Sequence, residues 1–274
     1  MYNDTIDGFV AAAGRKLALL RTSPLSFFVA SMLAGAYVGL GIILIFSLGS
    51  EVPVEARKLV MGATFGIALT LVVIAGAELF TGHTLVMALR RYQGQGTWSD
   101  VLATLGASWT GNLCGAAVLV GLFVMGGGGN LLSDVQGLIM STAAQKMNAD
   151  ASSLFARAVL CNWLVCLSLW MSARVSSDSA KCIVIFWCLL AFIASGYEHS
   201  VANMTLLMLA LAGHHPDTVT FAGMAWNLTW VTLGNIVGGA VFVAGAYRLA
   251  SARPEVAPVA APSALDTGAL HEAQ

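Results

Sequence analysis

FIASGYEHSVANMTLLML, residues 192–209, sets Glu198 and His199 side by side in a segment whose other residues are almost all apolar or small. Two ionisable groups in such a setting mean one thing in water and another in lipid, so the surroundings of the chain come first. Of 274 residues, 58% are hydrophobic and only 10% charged, and the mean hydropathy is +0.80. A soluble domain carries about 25% charged residues, so this chain lacks the means to cover a water-facing surface. It reads as an all-α polytopic membrane protein. The net charge of −1 gives no electrostatic reason to expect nucleic acid as a partner. The N-terminal stretch carries Asp4 and Asp7 early, without the long apolar core of a cleaved signal peptide.

A hydrocarbon core of about 30 Å needs about 20 apolar residues in helix. Six segments meet this: residues 25–48, 59–77, 101–125, 157–174, 182–198 and 218–247. The second runs into Glu78 and the fifth into Glu198–His199. Residues 1–24 form a leading segment with a short amphipathic stretch at 6–20, expected on the cytoplasmic surface, and residues 25–250 form the membrane domain. Residues 251–274 are rich in Ala and Pro and are expected to be a disordered cytoplasmic tail. With both termini inside, nine Lys and Arg residues face the cytoplasm and four, Arg57, Lys58, Lys146 and Arg157, face outward, as the positive-inside rule asks. Cys114, Cys161, Cys166, Cys182 and Cys188 all lie in apolar segments and read as small buried hydrophobes. His214 and His215, in an outer GHHPD loop, read as solvated; no metal or cofactor is expected.

The chain resembles itself. GNLCGAAVLVG from Gly111 matches GNIVGGAVFVAG from Gly234, and GAELFTGHTL from Gly76 matches GYEHSVANMTL from Gly196. Two matches in the same order at nearly the same offset make a 3+3 repeat. Its halves start on opposite faces and are therefore inverted, the plan of many transporters and pores, with corresponding helices broken inside the membrane. Both ionisable stretches fall at such breaks. Interrupted backbone is tolerated in lipid only against protein or a cavity, so each stretch is expected to face an internal passage.

Glu78 and Glu198 are equivalent in the repeat and read first as staples, with the freed loop N–H groups as their donors; direct proton transfer is the other reading. An unperturbed imidazole such as that of His199 titrates near neutrality, and an ionisable group at a membrane break is a functional candidate. Thr81 offers a hydroxyl from the other break, and His83 lies further along towards the cytoplasm. Half-helix N-termini favour an anion, so the site suits a small monovalent one. Phe65, Leu69, Leu79 and Phe192 read either as constrictions or as ordinary packing. Asn112 and Asn235, in the GN motifs, read as packing or as links between the halves. Lys146, by sequence alone, is a solvated loop charge.

AGAELFTGHT (75–84), LCNWLVCL (160–167), ASGYEHSVANMTL (194–206) and WVTLGNIVGG (230–239) together resemble the formate/nitrite transporter family, in its bacterial nitrite-channel branch. The resemblance implies a homopentamer of aquaporin-like subunits, with one pore in each. It implies His199 as the central histidine and Thr81 as the loop threonine, with constrictions at Phe65, Leu69, Leu79 and Phe192. It places a polar relay at Glu198, Lys146 and Asn162, to which Asn203 is added as a loop-supporting or relay residue. His83 departs from the wider family. The function so implied is passage of nitrite, and of formate or similar anions, across the bacterial inner membrane, coupled to protons through His199. The competing readings are a formate-selective or broad monocarboxylate channel, a neutral-solute pore, disfavoured because neither break contains an arginine, and an intramembrane enzyme, which lacks a nucleophile with an oriented base.

Overall fold

The computed structural model describes residues 2–134 and 137–251, and among these all regular structure is helical. In chain order the helices are α1 (Asn3–Thr22), α2 (Pro24–Glu51), α3 (Val54–Gly76), α4 (Phe80–Tyr92), α5 (Trp98–Met125), α6 (Gly129–Ser133), α7 (Leu138–Met147), α8 (Ala151–Ser172), α9 (Asp178–Ala194), α10 (Ser200–Ala212) and α11 (Phe221–Ala250). The tail expected at 251–274 lies outside the described residues, apart from Ser251.

Local chemistry sets the helix starts. Pro24 opens α2, where its missing N–H is no loss. Thr97 and Asp100 form a reciprocal capping box at α5, and Ser177 and Thr220 accept the first N–H groups of α9 and α11. Asp150 caps α8. Hydrogen bonds from Ser153, its hydroxyl first and then its N–H, hold the Asp150 carboxyl below the usual range. Both broken helices end at a glycine in the left-handed region, Gly76 (φ 84°) and Gly196 (φ 71°), a conformation other L-residues rarely adopt.

Five helices, α2, α3, α5, α8 and α11, are long and apolar enough to cross a bilayer. The other expected span, α9, has 17 residues, about 25 Å at 1.5 Å each, and its path resumes beyond the break as α10. At 23 residues α3 is long for a half-helix, and it bends at Phe65 and widens into a π-helical turn over Leu71–Gly76. A π turn inside a helix often marks a functional site.

The helices pair within each half at their glycines. A Cβ on Gly115 of α5 would sit 1.8 Å from the Met32 carbonyl oxygen of α2, and one on Gly234 of α11 would sit 2.5 Å from the Phe155 oxygen of α8. That contact holds Asn112 and Asn235 against the breaks. Asn112 Oδ1 accepts the Phe80 N–H (2.9 Å), and its Nδ2 donates to the carbonyls of Ser31 (2.7 Å) and Glu78 (3.0 Å). Asn235 Oδ1 accepts the Ser200 N–H (2.8 Å), and its Nδ2 donates to the carbonyls of Ala158 (2.8 Å) and Glu198 (3.0 Å). The glutamate N–H groups are taken by Ala30 and Arg157 carbonyls.

This corrects two expectations. Asn112 and Asn235 do not link the halves; each pins the break of its own half, because the close glycine contact brings it to that break. The freed loop N–H groups accordingly go to asparagine and backbone oxygens, leaving the glutamate carboxylates to side-chain donors. One link between halves runs instead from Asn162 of α8, whose Nδ2 donates to the Thr84 hydroxyl of α4 at 2.9 Å and, within its own half, to the Asn235 carbonyl at 2.6 Å.

The leading segment is also more than a surface helix. It is helical over Asn3–Thr22 and buries Ile6, Val10, Ala13 and Leu17, the 3–4 spacing of one face, against the bundle. Tyr2 packs edge-on to Tyr247 and beside Trp170, and Arg21 pairs with Asp100 of α5.

Replacing a buried hydrogen-bonding group leaves its partners unsatisfied at about 1–3 kcal/mol each. Asn112→Ala and Asn235→Ala should therefore each lower the thermal midpoint of the detergent-solubilised protein markedly and by similar amounts. Gly8→Ala, on α1 where a Cβ meets nothing within 4 Å, should leave it equal or slightly higher. A midpoint unchanged in either asparagine variant would show that the break does not rely on its pin.

Candidate functional site

The two pins hold two matching carboxylates. Glu78 Oε2 accepts from Lys16 Nζ of α1 (2.5 Å) and lies 2.6 Å from His83 Nε2 of α4. Glu198 Oε2 accepts from Lys146 Nζ of α7 (2.7 Å) and from Asn203 Nδ2 of α10 (2.6 Å). Each glutamate thus binds a lysine from the helix that leads its half, and a residue five positions on. Lys146, which sequence alone placed in a solvated loop, lies in the last turn of α7 with its ammonium on Glu198, because α7 folds back over the second break as α1 does over the first. Lys16 was missed altogether. The signal in the chain was its place beside the Ala13 and Leu17 stripe, inside the buried edge of α1. Asn203 also donates to Asn227 Oδ1 of α11 (2.8 Å), and Asn227 donates to the Lys146 carbonyl (3.0 Å).

Between the carboxylates the two breaks meet. His199 Nε2 lies 3.1 Å from Thr81 Oγ1, both residues buried, and His199 Nδ1 accepts the Ala202 N–H at 3.1 Å. From that pattern the neutral ring is assigned its proton on Nε2, facing Thr81. The Thr81 backbone is held in turn by the Thr84 hydroxyl, which donates to its carbonyl at 2.6 Å. Cys166 of α8 also points its thiol at that carbonyl, 3.6 Å away.

His199 opens on a void of about 10 Å³ walled by Val38, Phe65, Ala68, Leu69, Leu79, Val165, Leu189 and Phe192. That is room for about one water. The four aromatic and aliphatic candidates therefore converge on one chamber, whose only ionisable group is the imidazole. Phe65 and Phe192 meet edge to face at 5.5 Å, and Phe192 lies parallel to the His199 ring at 6.0 Å. Leu69 and Leu79 also line a second, larger cavity of about 640 Å³, so they stand between the two. This vestibule is open on the α1 side and reaches Lys16, Glu78 and His83, with Asp178 and Lys181 at the start of α9. Val38, Ala68, Val165 and Leu189 complete the chamber without having been singled out; apolar residues in apolar helices carry no mark of the cavity they face.

The arrangement is a narrow apolar passage with one hydrogen-bonding pair at its centre, flanked by two carboxylate–lysine clusters. Among the described residues, no group of three or more His, Cys, Asp or Glu is placed to hold a metal ion. His214 and His215 lie in the 213–220 loop, with only His215 near a carbonyl, that of Pro216.

Known proteins share this plan. Residues 3–249 match the family described as formate/nitrite transporter. The chain is 52% identical over 267 residues to the nitrite transporter NirC of Salmonella typhimurium, covering 96% of this chain and 98% of that one. It is 51% identical over 251 residues to NirC of Escherichia coli. A solved FNT family ion channel superposes with a TM-score of 0.89 at 52% identity, over 91% of this chain and all of that one. A pentameric formate channel with formate bound superposes at 0.70 with 29% identity, over 82% of this chain and 96% of that one. The chain belongs to the formate/nitrite transporter family.

Proposed function

We propose that this protein passes nitrite, and formate as a poorer or alternative substrate, across the bacterial cytoplasmic membrane, with one pore in each subunit of a pentamer and the α1 side facing the cytoplasm. The observation that carries the reading is the His199–Thr81 pair at the meeting of two broken helices, in a chamber otherwise apolar. The NirC relatives support the substrate, the pentameric formate channel supports the assembly, and the excess of Lys and Arg on the α1 side supports the orientation.

The chemistry runs as follows. A bare anion moving from water into an apolar constriction loses solvation of order 20 kcal/mol in the Born limit. In the chamber it exchanges water for the His199 Nε2–H and the Thr81 hydroxyl. The resting imidazole donates a hydrogen bond and has no proton to spare. To act as an acid it takes a second proton at Nδ1, giving up the Ala202 N–H, and releases the Nε2 proton to nitrite as neutral nitrous acid. Loss of the Nδ1 proton and return of one to Nε2 restore the ring. The neutral acid then passes Leu69 and Leu79, or Phe65 and Phe192, without the charge penalty. The void as it stands is too small for the anion, so each passage includes a side-chain displacement at these gates.

Nitrite flux into proteoliposomes tests this. His199→Asn keeps a donor but no exchangeable ring proton, and should lower flux by about tenfold or more while flattening its dependence on pH. Unchanged flux with an unchanged pH profile would remove His199 from the mechanism. Leu79→Ala removes one of the two side chains shared by chamber and vestibule, and should admit larger monocarboxylates relative to nitrite. An unaltered ratio of propionate to nitrite flux would show that Leu79 is packing alone.

A further inference from the structure

The repeat pairs His83 with Asn203. The two occupy the same position relative to Gly76 and Gly196, and each meets Oε2 of its half's glutamate at 2.6 Å. Asn203 cannot titrate. His83 can, and its surroundings differ from those of His199 in one decisive respect. The Nδ1 of His199 is occupied as an acceptor of the Ala202 N–H, so a second proton there breaks a bond. The Nδ1 of His83 is buried and has no hydrogen-bond partner, and the backbone of Thr104 on α5 lies close to the ring. A proton placed on that nitrogen breaks no bond and turns an orphaned acceptor into a donor, while Nε2–H stays on Glu78.

The other neighbours of His83 are known from each element around it. Glu78 comes from its own break and Lys16 from α1, Asp178 and Lys181 come from the start of α9 across the vestibule, and Phe27 of α2 lies with its ring centroid 5.7 Å away. With His83 neutral, the Lys16–Glu78 cluster is balanced. With His83 protonated it carries one net positive charge, at the floor of the vestibule and directly before Leu69 and Leu79. The opposite cluster, Lys146–Glu198–Asn203, stays balanced at every pH at which its lysine and glutamate are charged.

We propose that His83 is a second proton-binding site of the pathway, and that the charge it gains draws a monovalent anion to the vestibule floor, so that entry from the α1 side rises more steeply with acidity on that side than entry from the opposite side does with acidity there. The inference rests on the anion-passage reading above. A charge-lined cleft with apolar walls raises the local concentration of a counter-ion, and the sign is fixed: more acid on the α1 side, more anion entering from it.

The test is nitrite flux through the full-length protein in proteoliposomes, inserted in one orientation assigned by an N-terminal tag, with pH stepped from about 8 to 5 on one side at a time. In the wild type, nitrite entry from the α1 side should rise by about threefold or more on acidifying that side. In His83→Asn, which copies the residue that the other half carries, the α1-side rise should shrink to the size of the opposite-side response, which should itself be unaltered. His83→Gln serves the same end should the asparagine variant not assemble. Asn203→His should create a matching response from the opposite side. An α1-side rise that keeps its full size in both His83 variants would overturn the proposal while leaving nitrite passage standing. Absence of nitrite flux in the wild type would overturn both readings.

Discussion

A helix that stops inside a membrane leaves backbone groups with no water to bind, and lipid offers nothing in exchange. The rest of this structure depends on how that deficit is met. One asparagine on the neighbouring unbroken helix satisfies the first N–H after the break and the carbonyl of the glutamate before it, and ties both to a third helix. Glycines at Gly115 and Gly234 exist to let that asparagine come close. Because the pins use the break's own backbone, the glutamate side chains are released for other work and turn towards lysines. The order of dependence is therefore glycine contact, asparagine pin, break geometry and, last, the side chains that line the pathway.

The repeat extends further than its three spans. The leading helix α1 and the short α7 stand in the same relation to their halves, each placing a lysine on the glutamate of a break. A carboxylate buried alone would favour its neutral form, and a lysine alone would favour the loss of its own charge. Paired at 2.5 and 2.7 Å, they can both remain charged at small net field. This is an economical way to keep an anion pathway from ending in a negative wall. It also explains why the leading segment is bound along its length by a stripe of apolar residues and by the Tyr2, Trp170 and Tyr247 rings. Its lysine is part of the site.

Much of this was legible in the chain. Composition gave the bilayer, the paired GN and GxE motifs gave the inverted repeat, and an ionisable pair in an apolar run marked the centre. What was not legible depends on which helices touch. Asn112 and Asn235 were visible as polar residues in greasy helices, but whether they bind across or within a half follows from which helix the adjacent glycines face. Lys146 read as solvated because a lysine near a helix end usually is; only the fold-back of α7 brings it to Glu198. Lys16 carried even less signal, sitting one residue from a buried stripe whose apolar contrast is weak. The chamber residues Val38, Val165 and Leu189 are indistinguishable in sequence from their lipid-facing neighbours, since both sides of the helix are apolar.

The repeat is symmetric in its scaffold and asymmetric in its lining, and the asymmetry is where selectivity for a small anion would arise. The counterpart of His199 is Leu79 and that of Thr81 is Val201, so each break contributes one polar and one apolar residue at exchanged positions. A symmetric pore would place two histidines or two leucines at the centre. Two histidines, once protonated, would repel one another and hold an anion too firmly to release it; two leucines would offer nothing in place of water. The exchange yields one polar pair, Thr81 with His199, beside one apolar gate, Leu79. Along the proposed pathway an anion thus meets a single chamber site with donors and no fixed charge. Such a site can stabilise an ion enough to admit it and still let it leave, as conduction through a pore requires.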